Sequence, residues 1–141
     1  MSFFIRDYTP KDFDAVNNVW QLTEMGGAHR GDNAQTIART IACGGAIFCL
    51  CTSKNEVIGT AWITNDARRL YLHHFGILPQ FQGNKLSHIL MEAVMKFARE
   101  TAMQIKLEVH VSNLAANALY EKYKFKYLGD YKVLIVRDVR K

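Results

Sequence analysis

The stretch that decides the fold is Leu70–Ala98, which reads LYLHHFGILPQFQGNKLSHILMEAVMKFA. Its first part, Leu70–Leu78, is an apolar run of strand length, and Pro79 then marks a turn. After the turn, apolar residues recur every three or four positions, as on one face of an amphipathic helix. They are Leu86, Ile89, Leu90, Ala93, Val94, Phe97 and Ala98. The stretch therefore predicts a strand, a turn and a helix of about five turns.

The residues on both sides of this stretch predict a mixed sheet. Beyond the helix, apolar and polar residues alternate, which indicates a half-buried strand; its apolar positions are Ile105, Leu107, Val109 and Val111. A strand, a helix and a strand in this order form a right-handed crossover between parallel strands. Before it, Ala46–Thr52 and Val57–Thr64 are joined by four polar residues, and with Leu70–Leu78 they predict an antiparallel meander.

The two ends of the chain add further elements. A short strand is expected at Phe3–Ile5, and a helix from Pro10 to about Thr23 would bury Phe13, Val16, Val19 and Trp20. A second helix over Asn33–Ala42 places Ile37 and Ile41 one turn apart. The remaining predictions are a helix over Asn113–Tyr123 and a strand around Tyr131–Val136. The fold class is α+β (mixed α/β), with an antiparallel meander, one parallel joint and flanking helices.

Composition favours a single domain over residues 1–141. About half of the 141 residues are hydrophobic (49%) and 22% are charged, which suits one globular core. No window approaches the roughly 20 apolar residues of a membrane span, and the charged start of the chain lacks the features of a signal peptide. We therefore expect a cytoplasmic protein. Its three cysteines, Cys43, Cys49 and Cys51, lack metal-ligand spacing, and we expect reduced, packed thiols.

The segment Ile77–Ser87 carries the first chemical signal. A helix that begins after a strand presents unpaired backbone N–H groups and a positive dipole end, to which a pyrophosphate can bind. Gly83 permits a close approach, and Lys85 adds positive charge. Because Lys85 enters a right-handed helix, we expect it to avoid positive φ. An ordinary strand-to-helix turn offers some of the same groups and is the alternative interpretation.

A second segment, Asn113–Phe125, reads NLAANALYEKYKF. With the first segment it resembles the GNAT superfamily of acetyl-CoA-dependent N-acetyltransferases, and the order of predicted elements is similar over nearly the whole chain. That family's V-x-P and Q/R-x-x-G-x-G/A motifs fall on Ile77, Pro79, Gln82, Lys85 and Ser87. Its N-x-x-A-x-x-L-Y-x-K-x-G-F motif is matched by Asn113, Ala116, Leu119, Tyr120, Lys122 and Phe125. The chain departs from the family where Lys85, Ser87 and Lys124 replace glycines.

The resemblance implies a binding site for acetyl-CoA as cosubstrate, without a metal. It places the pantetheine arm beside Phe75, Gly76 and Ile77. The phosphates would contact Gln82, Gly83, Asn84, Lys85, Leu86 and Ser87, and the last helix would contribute Asn113, Ala116 and Tyr120. It also implies that Tyr120 protonates the departing thiolate when the acceptor amine attacks the thioester.

The general base is left open among His73, His74 and Glu108. His73 and His74 are neighbours on a strand, so their side chains should point to opposite faces and cannot bind one metal ion together. Histidine titrates near neutral pH, so either ring could take the amine proton; of the two we favour His73, with Glu108 as the competing carboxylate. The candidates for substrate contact lie in the preceding loop: Glu24, His29, Arg30 and Asp32.

Three functions are compatible with the sequence, in this order. The first is acetyl transfer from acetyl-CoA to a primary amine of a small molecule or a protein, and the second is non-catalytic binding or sensing of acyl-CoA. The third, nucleic-acid binding, rests on a net charge of +5 and on basic residues near the carboxyl end. Because no nucleic-acid-reading motif accompanies those charges, we expect neither nucleic acid nor a membrane as partner, and a homodimer is left open.

Overall fold

The computed structural model describes residues 2–141 as two compact units, one ending at His110 and the other beginning at Val111. The strands of the first unit are β1 (Phe3–Asp7), β2 (Ala46–Thr52), β3 (Val57–Asn65), β4 (Leu70–Ile77) and β5 (Ile105–Leu107). Its helices are α1 (Phe13–Leu22), α2 (Ala34–Ala42) and α3 (Leu86–Thr101), and the second unit contains α4 (Leu114–Lys122). Short 3₁₀ turns occupy Pro10–Asp12, Ala28–Arg30 and Pro79–Phe81.

The sheet has the topology expected from the sequence. Its strand order is β1-β2-β3-β4-β5, with three antiparallel pairings followed by one parallel pairing between β4 and β5. The helix α3 connects these two parallel strands, as a crossover unit requires. The α+β fold with one parallel joint is therefore confirmed.

The helices pack as their apolar spacing indicates, with two exceptions. Val16, Val19 and Trp20 of α1 are fully buried, as are Ile37 of α2 and Leu90, Met91 and Val94 of α3. Ile41 and Ile89, which were expected in the buried stripes, are 44% and 42% exposed. Both lie at the margin of an apolar face, where helical periodicity alone does not decide between core and solvent.

A network of polar contacts connects β1 to the turn before α1. The Arg6 guanidinium donates to both carboxylate oxygens of Asp12, at 2.7 and 2.8 Å, and the Thr9 backbone N–H donates to the same carboxylate at 2.8 Å. These hydrogen bonds, above all those from Arg6, lower the pKa of Asp12 to about 2. The buried Asp12 carboxylate therefore stays ionised and holds the first helix against the sheet.

The burial expected for the three cysteines is observed at two of them. Cys49 and Cys51 are fully buried and belong to one core cluster with Trp20, Ile37 and Trp62, as two strand residues on the same face should. Burial raises the pKa of the Cys49 thiol to about 12, so it stays protonated. Cys43 is exposed, and the expectation that it is packed was wrong, because it lies at the end of α2 outside the core.

Two sequence predictions near the carboxyl end were wrong. The strand expected over 105–111 is only three residues long, since its ladder with β4 ends at the pair Leu72–Leu107. The strand expected around Tyr131–Val136 does not form, and its apolar side chains are exposed. The Tyr131 N–H instead closes a turn onto the Leu128 carbonyl. An apolar run becomes a strand only where a neighbouring strand supplies backbone partners.

Across residues 2–141, the helices all lack the length and apolar character needed to cross a lipid bilayer.

Candidate active site

A bulge in β4 shapes the centre of the candidate site. Thr60 of β3 pairs with Gly76 and Trp62 pairs with His73, so two residues of β4 lie opposite one residue of β3. His74, inside this bulge, has a positive φ of 43°. The Thr60 hydroxyl donates to the His74 carbonyl at 3.0 Å and accepts from the Trp20 indole N–H at 3.0 Å. A fully buried hydroxyl thus holds the strained backbone in place.

The bulge brings two histidine rings to the same side of the sheet. The ring centroids of His73 and His74 lie 6.0 and 5.1 Å from that of Trp62 and 6.5 Å from each other. The expectation that they point to opposite faces was wrong, because the bulge interrupts the alternation of a regular strand. Within residues 2–141, no three His, Cys, Asp or Glu side chains are grouped so as to hold a metal ion.

His73, the base favoured from the sequence, and Glu108, the competing carboxylate, are connected through Tyr71. The Tyr71 ring stacks on His73 with centroids 4.4 Å apart, and its hydroxyl donates to the Glu108 carboxylate. His73 Nε2 lies 2.9 Å from the Thr64 hydroxyl. Burial, assisted by the nearby His74, lowers the pKa of His73 to about 4. His73 is therefore uncharged at neutral pH.

His74 makes a polar contact that the sequence did not indicate. Its Nε2 lies 2.8 Å from Asp32 Oδ2, and that oxygen also accepts the Gly27 N–H at 3.1 Å. A Cβ at Gly26 would lie 2.5 Å from the same carboxylate oxygen, so this position needs glycine. The loop glycines thus let Asp32 reach the sheet, whereas Glu24, His29 and Arg30 of the same loop are exposed.

The last residues of β4 lie beyond its ladder with β5. That ladder covers three pairs and ends at Leu72, while β4 continues through Phe75, Gly76 and Ile77. A Cβ at Gly76 would lie 2.5 Å from the terminal methyl of Met25, so the loop after α1 packs closely on the strand here. The Gln82 side-chain amide donates to the Ile77 carbonyl at 2.8 Å. Gln82 therefore ties the following turn to the strand end.

The turn into α3 presents a series of backbone donors. In the part of the chain that the structure describes, the amide N–H groups of Gly83, Asn84, Lys85, Leu86 and Ser87 have no hydrogen-bond acceptor. The last two open a 16-residue helix, whose dipole adds positive potential. Consecutive unpaired amides at such a helix start can donate hydrogen bonds to the oxygens of a pyrophosphate.

The backbone of Lys85 differs from the sequence prediction. Lys85 has φ 59° and ψ 17°, which is the left-handed conformation, and its side chain makes no capping hydrogen bond. The expectation of a negative φ was wrong because Lys85 is the residue before the first helical one, where the chain reverses direction. Glycine, which the resemblance implies at this position, adopts this conformation without strain.

The second unit contains the remaining residues of the expected site. Asn113 begins α4 by accepting the Ala116 N–H through its side-chain oxygen at 3.2 Å. Tyr120, half-buried on this helix, has its ring centroid 5.7 Å from that of Phe125. Burial raises the pKa of Tyr120 to about 12, so its hydroxyl carries a proton at neutral pH. Lys124 has a φ of 72°, again at a position where the resemblance implies glycine.

The site residues are thus divided between the units. His73, Glu108, the end of β4 and the turn into α3 belong to the first unit, and Asn113, Ala116 and Tyr120 belong to the second. Sequence reasoning missed Tyr71, which joins His73 to Glu108, and the contact between Asp32 and His74. The glycine-rich loop before Asp32 was the one available signal for that contact.

Comparison with known proteins assigns the family. The model of the acetyltransferase (GNAT) family matches residues 13–125. No curated protein matches the chain significantly.

Three solved structures have the same fold. An acetyltransferase from Streptococcus agalactiae 2603 is 19% identical with a TM-score of 0.78, over 95% of this chain and 90% of that one. AAC(6')-Iy, solved in complex with the bisubstrate analogue CoA-S-monomethyl-acetylneamine, is 16% identical with a TM-score of 0.75, over 98% and 99%. The Escherichia coli ribosomal-protein-S18-alanine N-acetyltransferase is 22% identical with a TM-score of 0.71, over 86% and 76%.

The family match covers both motifs and the elements that carry them. Together with the shared fold it identifies an acyltransferase, and the chain belongs to the acetyltransferase (GNAT) family.

Proposed function

We propose that the protein transfers the acetyl group of acetyl-CoA to a primary amine of a small molecule or a protein. The observation that carries the proposal is the series of five unpaired backbone amides from Gly83 to Ser87 at the start of α3. Such a series suits the pyrophosphate of a coenzyme A thioester, and Lys85 adds a positive charge at the same place. The cytoplasm, where thiols stay reduced, is the compartment we propose.

The choice of a primary amine as acceptor is supported by the neighbours. One is bound to an analogue that joins CoA to an acetylated neamine, and another is named for the alanine of a ribosomal protein. A small amine and a protein amino group are thus both represented on this fold. We expect the loop containing Asp32, next to the bulge in β4, to determine which acceptor amine this chain binds.

The proposed chemistry needs an acid and a base. The amine nitrogen attacks the thioester carbonyl carbon, the C–S bond breaks, and the sulfur gains a proton. Tyr120 is the proposed proton donor, because its raised pKa keeps the hydroxyl protonated until the C–S bond breaks and the thiolate forms. His73, His74 and Glu108 remain the base candidates from the sequence. Asn113, Ala116 and the backbone of Phe75–Ile77 are proposed to hold the pantetheine arm.

Two measurements test this proposal. The first is a thermal melt with and without acetyl-CoA, which should stabilise the native state by about 2.7 kcal/mol at a concentration 100 times its Kd. The second is release of free thiol from acetyl-CoA with a panel of amines: an aminoglycoside, a polyamine and peptides with different first residues. Stabilisation without thiol release would identify a non-catalytic acyl-CoA-binding protein. An unchanged melt would contradict acetyl-CoA binding altogether.

A further inference from the structure

The contact between Asp32 and His74 has the form of a catalytic pair. Asp32 Oδ2 lies 2.8 Å from His74 Nε2, and each side chain is 20% exposed. A carboxylate in this position fixes the orientation of the imidazole ring. Both side chains are mostly buried, which restricts their motion. Their exposed fraction leaves room for proton exchange with a bound molecule.

Both members of the pair are held by neighbours. Asp32 accepts the Gly27 N–H at 3.1 Å, which fixes its carboxylate. The His74 ring packs with its edge against Trp20 and Trp62, at centroid distances of 5.0 and 5.1 Å. A group whose position is fixed by packing and by a second hydrogen bond suits proton transfer, which depends on distance and direction.

The position of His74 in the chain is the second observation. It lies in the bulge with φ 43°, directly before the Phe75–Ile77 segment proposed to hold the pantetheine arm. A histidine at positive φ is strained, and such strain persists where the surrounding structure imposes it. Here Thr60 imposes it by donating to the His74 carbonyl. The bulge therefore presents this side chain beside the segment where the thioester is expected.

We propose that His74, oriented by Asp32, is the general base that takes the proton from the acceptor amine. This inference rests on the proposed acetyl transfer. As the nitrogen–carbon bond forms, one N–H proton passes to the His74 imidazole, while the sulfur receives a proton from the Tyr120 hydroxyl. The products are the acetamide and the free thiol, and the two residues regain their starting states by exchange with water.

His74 is better placed for this role than His73, which the sequence analysis favoured, and than Glu108. The Nε2 of His73 contacts the neutral Thr64 hydroxyl and not a carboxylate, and the Glu108 carboxylate accepts the Tyr71 hydroxyl. The lowered pKa of His73 also makes it a weak base toward an amine. His74 instead combines a carboxylate partner with a position in the bulge.

The test is chemical rescue of His74→Gly by imidazole. Glycine suits the positive φ of this position, and the lost ring leaves a space that free imidazole fills. With the best amine of the panel, kcat should fall by about 100-fold or more while the KM for the amine stays within about threefold. Added imidazole should raise kcat of the variant by about tenfold or more, saturably, as an external base. The background reaction of imidazole with acetyl-CoA is subtracted.

Three further variants distinguish a role of His74 as general base from a purely structural role. Asp32→Asn should lower kcat by about tenfold without rescue, because His74 still occupies the site. Tyr120→Phe should not respond to imidazole, since it lacks the acid rather than the base. Asp14→Asn changes an exposed aspartate on α1 and should match the wild type.

The outcomes distinguish the two proposals. If His74→Gly keeps kcat within about threefold of wild type, or loses it without rescue by imidazole, His74 is not the base and acetyl transfer stands. If circular dichroism shows that His74→Gly is unfolded, His74→Asn replaces it under the same criteria, because asparagine tolerates positive φ. If the wild type transfers acetyl to none of the amines, the proposed function and this inference are both overturned.

Discussion

The substitution Lys85→Gly separates backbone strain from charge at the turn into α3. Lys85 has φ 59°, where a residue with a Cβ costs about 1–2 kcal/mol relative to glycine. Glycine also has more freedom in the unfolded chain, which costs about 0.5–1 kcal/mol. The net effect should be a gain of about 0.5–1 kcal/mol in the free energy of unfolding, or a Tm higher by about 2–4 °C.

The same substitution should weaken the binding of acetyl-CoA. Lys85 is exposed, so its attraction to a pyrophosphate contributes about 1 kcal/mol or less, which corresponds to a Kd up to about fivefold higher in the variant. Because screening by salt acts on that attraction, binding by the variant should depend less on salt. Calorimetric titration with acetyl-CoA at two salt concentrations measures both effects.

Ala102→Gly is the matched control. Ala102 lies at the other end of α3 with φ 56°, is exposed and carries no charge. It should gain the same stability as Lys85→Gly and leave the Kd of acetyl-CoA unchanged. If Lys85→Gly lowers the Tm while Ala102→Gly raises it, the strain argument fails for Lys85. If Lys85→Gly binds acetyl-CoA more tightly with an unchanged salt dependence, the argument from charge fails.

Four further predictions concern stability, catalysis and binding. Gly45→Ala should destabilise the fold by about 2 kcal/mol or more in urea titrations, because the new Cβ would overlap the Ile63 carbonyl oxygen. Asp12→Asn should cost about 2 kcal/mol at pH 7, since the pKa of Asp12 is lowered from 3.8 to about 2. That stability is present above about pH 4 and is lost as the pH falls through about 2, so variant and wild type should converge in acid urea titrations. Tyr120→Phe should lower turnover by about 100-fold with little change in the Kd of acetyl-CoA, and near-normal turnover would remove Tyr120 from the mechanism. Binding to DNA or RNA should be weak and disappear at moderate salt, and tight sequence-dependent binding in a shift assay would contradict this.

Periodicity alone predicted most of the sheet and the helices. The spacing of apolar residues in Leu70–Ala98 identified β4, the turn and α3, because a strand and a helix repeat with different periods. It failed for Tyr131–Val136, whose apolar run has the composition of a strand but lacks a partner in the structure. Strand formation depends on a neighbour, and neither composition nor spacing specifies that neighbour.

The sequence predicted only the part of the candidate site that depends on local sequence. The motifs around Gln82 and Asn113 are local, and the structure places each at a helix start as expected. What the sequence by itself determined is therefore the order of elements, the family resemblance and the donors of the turn into α3. The positive φ of Lys85 was not among them, since backbone conformation at a reversal depends on the elements on both sides.

Only the tertiary structure decided the arrangement around the bulge in β4. Asp32 and His74 are 42 residues apart in the chain, and they meet because the loop glycines allow a close approach and Thr60 holds the bulged backbone. A regular strand would have sent His73 and His74 to opposite faces. The extra residue in one strand depends on its pairing with β3, so the position of these side chains is a property of the sheet and not of the local sequence.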